Sequence, residues 1–357
     1  MEAMGIIIGR ETQDGFEPSW LVKKLWPKTS GNTINGLGER EDRPATPVFH
    51  RLHKHPFLPI NLLFLSKSTW DLKVLNSVRR SGKIKEGEKE KVQQALPRPT
   101  SSDKDELTRM IQTHAEEDAD CDLIRVAANH KNLYFDMDLE KISHIPKYAI
   151  VLGLHQDYEE ISKNLEPETW WKKRPWNTKW RHTSDEVMSV YERTHASAAR
   201  LADKIREAGY HAEAIGGAMG SAINVLRTAI ESGMGELGKH GSILNDRYGP
   251  NLRFSVVLTD MPLHVDGPRE VGADEFCYNC KLCTTTCPPS AISDRKQLVR
   301  GATRWYVNFD KCMPFFIDTK GCALCIAACP WSRPGVAPNL SKKMLARMER
   351  KRLAKMN

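Results

Sequence analysis

No stretch of this chain approaches the roughly 18 consecutive apolar residues that a membrane-spanning helix needs. The best candidate, Pro59–Leu65, is far too short. The N-terminus, MEAMGIIIGRETQDG, lacks the basic start and long apolar core of a secretory leader. The Arg79-Arg80 pair leads into charged residues and does not read as a twin-arginine export signal. A cytoplasmic location is therefore expected. No Gly-x-Gly-x-x-Gly follows a strand, so a nicotinamide or flavin fold is not indicated. Cysteine is nearly absent from the first 276 residues, where Cys121 stands alone beside an apolar run and reads as a small buried hydrophobe.

What is present is ordinary for a globular protein, with 40% hydrophobic and 27% charged residues. Its 357 residues can bury a sizeable core in two or three domains. The net charge of +8 owes much to the tail KKMLARMERKRLAK (342–355), which reads as a basic helix with a solvated face. That is the expectation over a nucleic-acid contact; attraction to an acidic electron donor is the other use of such charge.

Residues 1–100, rich in Pro, Gly, Lys and Arg, suggest irregular structure wrapped on the main domain. From 101 the pattern alternates. Ser101-Ser102-Asp103 caps a helix to about Ala119, and Asp122–Ala127 and Tyr148–Leu154 read as strands, the second central and buried. The clearest helix is Asp185–Ala208, with Thr183 and Glu186 as a capping box and Gly209 as its stop. Its apolar stripe is Val187, Tyr191, Thr194, Ala198, Leu201, Ile205 and Ala208. His211–Ile215 is a short strand, Ala222–Ser232 a helix, and Arg253–Thr259 another buried strand. The segment 101–268 is thus an α/β (α+β) domain, followed by a small cysteine-rich unit at 269–336 and the tail at 337–357. Trp170, Trp171, Trp176 and Trp180 crowd one Pro-containing stretch and suggest a lid or pocket wall.

Eight of the nine cysteines fall between 277 and 329. Cys277, Cys280, Cys283 and Cys287, followed by Pro288, form C-x2-C-x2-C-x3-C-P. This is the bacterial two-cluster ferredoxin spacing, in which the fourth cysteine of each run binds the other cluster. Cys312, Cys322, Cys325 and Cys329, then Pro330, form the second run. One [4Fe–4S] cluster is therefore expected on Cys277, Cys280, Cys283 and Cys329, and another on Cys312, Cys322, Cys325 and Cys287. A zinc site gives no reason for the third closely spaced cysteine. Two adjacent clusters suggest an electron wire, and a wire needs a terminus.

The segment from about 145 to 335 resembles the corrinoid-dependent reductive dehalogenases of the iron–sulfur type. The likeness rests on IPKYAIVLGLHQDYEEI, LADKIREAGYHAEAI, SGMGELGKHGSILNDRYGPNLRFSVVLTDMPL, and the two cysteine runs with WYVNFDKC and CPWSRPG. It implies a nitroreductase-like corrinoid-binding domain ahead of a bacterial ferredoxin-like module, with cobalamin bound base-off. The absence of Asp-x-His-x-x-Gly agrees with that. It implies that electrons pass through the clusters to cobalt and that a carbon–halogen bond becomes carbon–hydrogen.

The same resemblance puts Tyr191 as proton donor and Arg253 as the basic residue beside it. A guanidinium near a phenol favours phenolate and makes a stronger acid. Lys239, Gly241 and Ser242 are the implied cofactor contacts. The chain departs from the family at Met219-Gly220-Ser221, where many members carry asparagine, and at Gly238-Lys239-His240-Gly241, where Lys replaces Arg. The implied partners are a small organohalide and an external donor such as ferredoxin or flavodoxin; a homodimer is allowed. The alternatives are an epoxyqueuosine reductase-like enzyme acting on tRNA and a plain ferredoxin-type carrier.

Overall fold

The computed structural model describes residues 8–12, 15–48, 59, 72–136, 144–165, 179–216, 222–319 and 321–356. The central sheet has four strands in the order Leu123–Ala128, Tyr148–His155, Leu252–Thr259 and Ala212–Ile215. Every pairing is antiparallel, so the alternating pattern builds an α+β sheet. The continuous apolar runs YAIVLGLH and LRFSVVLT occupy the two inner positions, where both faces are covered.

The two faces have separate cores. On one, Ile150, Leu152 and Val257 meet Ala198, Leu201 and Ile205 of the long helix, together with Leu107 and Ile111 of the helix Lys104–Glu117. On the other, Val151, Leu252, Phe254 and Val256 pack with Leu133, Ile223 and Ala229. Cys121 is buried in the first core and its thiol is pushed up to about 12 by burial.

Local chemistry sets the helix ends. The side chain of Asp103 accepts from the Asp105 N–H, and Asn224 caps Val225–Glu231, a helix shorter than the expected 222–232. Gly209, at φ +90°, turns the chain out of the long helix as expected. That helix, however, spans Lys179–Glu207, beginning six residues before Asp185. Thr183 lies inside it, so no capping box starts it; the Glu186 carboxylate instead accepts from the Asp157 N–H at 2.8 Å. The tryptophan segment falls outside the described residues except for the backbone of Trp180, which is helical.

The described residues within 1–100 are more ordered than the composition suggests. A hairpin, Gly9–Thr12 with Gly15–Pro18, is followed by the helix Trp20–Leu25. These pack on the cysteine-rich unit rather than on the sheet: Ile8, Val22 and Val48 share a core with Ile317, Phe309 and Met313. The Asp310 carboxylate accepts from Trp26 Nε1 and from the backbone N–H groups of Gly31 and Asn32. Leu72–Lys91 then forms a 20-residue helix lying along the long helix. Its weak apolar stripe hides it from periodicity because polar groups anchor it. Glu88 is buried against Arg206 at 2.5 Å and also accepts from the Ala214 N–H, while Arg206 donates to the Ala212 carbonyl. Among the described residues no helix is long and apolar enough to cross a membrane.

Glu88→Ala would take from the Arg206 guanidinium its buried partner, leaving it the half-exposed Asp203 at 2.8 Å, and would leave the Ala214 N–H without its acceptor, so urea unfolding is expected to lose about 2–4 kcal/mol. Removing the exposed Lys204–Glu117 pair is expected to cost less than about 1 kcal/mol. Equal losses in the two variants would show that the Glu88 ion pair does not anchor this helix.

Candidate functional site

The eight clustered cysteines are all free thiols, and they divide into two groups that cross between the runs. The Cys329 thiol is pushed well up by burial and then by Cys277, Cys283 and Cys280, its neighbours from the first run. Burial raises the Cys322 thiol likewise, and Cys325, Cys312 and Cys287 add to it. Cys312 is pushed up to about 12 by burial and by Cys287. Cys287 is thus close enough to the second run, and Cys329 to the first, for their thiols to influence one another. Cys325 also feels Cys283, so the groups adjoin.

Backbone N–H groups point at these sulfurs. Lys239 N–H donates to Cys277 Sγ at 3.5 Å and Ala291 N–H to Cys287 Sγ at 3.3 Å. Such donors stabilise negative charge on sulfur. Among the described residues no three Cys, His, Asp or Glu side chains converge closely enough to hold a single metal ion. Tyr278 and Lys281, flanking Cys280, are exposed.

The cysteine-rich unit is not freestanding. Asn251 donates to the Ser332 carbonyl and Asn164 to the Cys322 carbonyl, both at 2.7 Å. A Cβ at Gly249, whose φ is +59°, would sit 2.0 Å from the Trp331 carbonyl oxygen, so only glycine permits this approach. Lys239 is fully buried here. Its ammonium donates to the Cys280 carbonyl at 2.7 Å and lies 4.8 Å from the Trp305 ring centre. Gly241, at φ +80°, closes the turn through its N–H to the Gly238 carbonyl, and Ser242 N–H donates to His240 Nδ1. Lys239 is thus committed to the cysteine unit, whereas Gly241 and Ser242 serve the turn beside it.

Tyr191 and Arg253 come together. The guanidinium carbon stands 5.6 Å from the tyrosine ring centre. The long helix brings this about: one turn on, Thr194 and Ser255 are joined by hydrogen bonds, which locks the helix over the strand Leu252–Thr259. Val187 and Met188, one turn the other way, pack with Tyr191, Val78 and Ala323. Ala323 lies between Cys322 and Cys325, so the second cysteine group reaches the tyrosine's own helix.

Sequence reasoning missed a set of buried polar atoms around this junction. Leu154 pairs with Arg253, and Gln156 continues the same sheet face two residues on. Gln156 is fully buried, with no hydrogen-bond partner for either side-chain amide atom. Arg253 Nε, Asn164 Oδ1, Asn251 Oδ1 and His240 Nε2 are also without partners among the described residues. His240 is lowered to about 4 by burial and then by Arg253. No periodicity marks such residues, because their lack of partners is visible only in three dimensions. Met219, Gly220 and Ser221 lie outside the described residues.

Residues 276–332 match the family described as the 4Fe-4S dicluster domain. A tetrachloroethene reductive dehalogenase of Desulfitobacterium hafniense is 30% identical over 219 residues, 56% of this chain and 36% of that protein. The match thus spans about a third of the curated relative's length. A catabolic reductive dehalogenase solved in complex with 3-bromo-4-hydroxybenzoic acid superposes with a TM-score of 0.65 at 19% identity, over 90% of this chain and 47% of that one. A second reductive dehalogenase, described as performing B12-dependent dehalogenation, gives 0.59 at 21%, over 90% and 46%. This chain is thus similar in sequence to tetrachloroethene reductive dehalogenases over just more than half its length, and similar in fold to solved reductive dehalogenases over nearly all of it.

Proposed function

We propose that this chain carries out reductive dehalogenation, R–X + 2e⁻ + H⁺ → R–H + X⁻, on a small organohalide. In this reading 101–268 is a nitroreductase-like corrinoid-binding domain and 269–336 a ferredoxin-like module with two [4Fe–4S] clusters. The observation that carries it is the Tyr191–Arg253 pair on a helix that also packs against Ala323 of the second cysteine run.

The donor chemistry fits the cofactors. Eight soft thiols in two crossed groups, with N–H donors on their sulfurs, suit two cubanes. Buried amide atoms left open at Gln156, Asn164 and Asn251 cost about 1–3 kcal/mol each unless satisfied. The carboxamide arms that fringe a corrin ring would satisfy them. When bound base-off, the corrinoid would supply two-electron reduction of the carbon–halogen bond, and the clusters its electrons.

The chain's own groups do the rest. Tyr191 holds the proton that the carbon receives. Arg253 holds its guanidinium over the same ring, 5.6 Å from its centre, beside the group that loses the proton. Lys239 places a buried positive charge beside the first cysteine group, which favours reduced iron–sulfur. Reduction would be fed by an external donor of the ferredoxin or flavodoxin type.

Cys277→Ser and Cys329→Ser should remove the same cluster, identified by its electron-paramagnetic-resonance signal, while Cys322→Ser removes the other. Cys121→Ala should leave iron content unchanged. Loss of different clusters in Cys277→Ser and Cys329→Ser would break the crossed assignment.

Cobalamin extraction separates this reading from a plain carrier, and turnover of halogenated phenols against epoxyqueuosine tRNA separates it from the tRNA-modifying alternative. Tyr191→Phe keeps the ring and its packing and removes the proton. Halide release should fall by roughly 10²–10⁴-fold with iron and corrinoid retained. Arg253→Lys should be milder than Arg253→Ala, since a charge remains without the planar fork. Near wild-type turnover by Tyr191→Phe would dismiss this tyrosine as the acid.

A further inference from the structure

A tyrosine that gives up a proton in each turnover must recover one from solvent. Tyr191 faces Arg253 on one side and packs near Ala323 on another, so neither neighbour is a proton source. A different face meets the helix Leu72–Lys91. There a cavity of about 10 Å³ is lined by Ser77, Val78, Ser81, Met188, Tyr191 and Glu192. That is about the room one water molecule needs, and its hydroxyl and carboxylate walls offer the polar partners such a water requires.

Ser77 also lines a second cavity of about 470 Å³, together with Arg80, Glu160, Asp185, Glu186 and Ser189, whose rim carries the exposed Asn76. Ser77 itself is buried, at 4% exposure, and stands between the two spaces. Its single hydroxyl proton has two acceptors: the Met188 carbonyl at 2.9 Å and the Glu192 carboxylate at 2.8 Å. Only one can be served at a time. When Glu192 is ionised it can accept from Ser77. When Glu192 is protonated, Ser77 can turn to Met188 and accept instead. Arg80 holds the Glu192 carboxylate from the solvent side at 2.9 Å. Ser81 extends the polar wall and bonds His195 Nδ1 at 3.3 Å. His195 is lowered to about 4 by burial, so it is neutral near pH 7 and contributes no charge there. In the outer cavity, burial raises the Glu186 carboxyl, which favours its holding a proton.

From this arrangement we infer that Glu192 and Ser77 form the route by which solvent protons return to Tyr191, through a water in the small cavity. The inference rests on the proposed role of Tyr191 as the acid. The exchange is Glu192–COOH + Tyr191–O⁻ → Glu192–COO⁻ + Tyr191–OH, after which the carboxylate takes a proton from water in the outer cavity. Glu192 and Ser77 act through Tyr191 and do not touch the reacting carbon. The charged groups facing this route are Arg253 from the strand Leu252–Thr259, Arg80 from the helix Leu72–Lys91, Glu160 from the helix Tyr158–Ser162, and Asp185, Glu186 and Glu192 from the long helix.

The test uses the holoenzyme carrying Glu192→Gln, which keeps shape but carries no acid proton, and separately Ser77→Ala. If the route is cut, the first turnover uses the proton already on Tyr191 and runs at the wild-type rate. Later turnovers slow by roughly tenfold to a hundredfold, less than the loss of the acid itself. A burst of one product per site should therefore appear, with a tyrosinate ultraviolet band growing during the slow phase and small carboxylic acids restoring the rate. The band is absent if the substitution has only disturbed packing. Linear turnover at the wild-type rate in both variants overturns the route, and so does slowing from the first turnover without tyrosinate. If Tyr191→Phe is itself fully active, the proton-donor reading fails instead, and the two failures are thereby distinguished.

Discussion

The nearness of Cys287 to the second cysteine run and of Cys329 to the first is the constraint on which the rest of the site depends. The thiols of each run influence those of the other, so the two runs sit against one another. The N–H groups of Lys239 and Ala291, both outside the runs, point at Cys277 and Cys287. The hairpin and helix of residues 9–25 cover the outside of this body, with Asp310 gathering three donors from residues 26, 31 and 32. Apolar closure alone would leave those groups unpaired.

The sheet domain meets this body through bonds that leave unmatched atoms behind. Asn164 and Asn251 each donate an amide proton to a carbonyl of the cysteine unit, yet their own oxygens remain open. Gln156 has neither amide atom engaged among the described residues. Well-packed cores rarely tolerate this, because each unsatisfied group carries its full desolvation penalty. Gln156 follows the strand Tyr148–His155 and donates its backbone N–H to the Asn251 carbonyl, so these open atoms lie where the sheet meets the cysteine unit. A polar cofactor inserted there would complete the interior.

The helix Leu72–Lys91 adds a third element to the same region. Its buried Glu88 ties it to Arg206 far along the long helix, while Ser77 and Arg80 reach Glu192 nearer the tyrosine. Two polar anchors at separate levels fix its register, whereas an apolar stripe would tolerate sliding. This arrangement puts a small cavity with polar walls beside Tyr191.

From the sequence by itself came the two cysteine runs, the buried strands, the stripe of the long helix and the choice of Tyr191 and Arg253 as residues to look for together. These are legible because thiolate spacing and apolar periodicity are local properties, set within one run or one element. Tertiary structure decided the antiparallel order of the sheet, the early start of the long helix at Lys179, and the order within residues 8–48 and 72–91. It also decided that Lys239 serves the cysteine unit, that Gln156 is buried, and that Ser77 and Glu192 share a cavity with the tyrosine. Those outcomes depend on which polar atoms find partners across large sequence separations, and a hydrogen bond between residues 77 and 192 leaves no period in the chain for either residue to reveal.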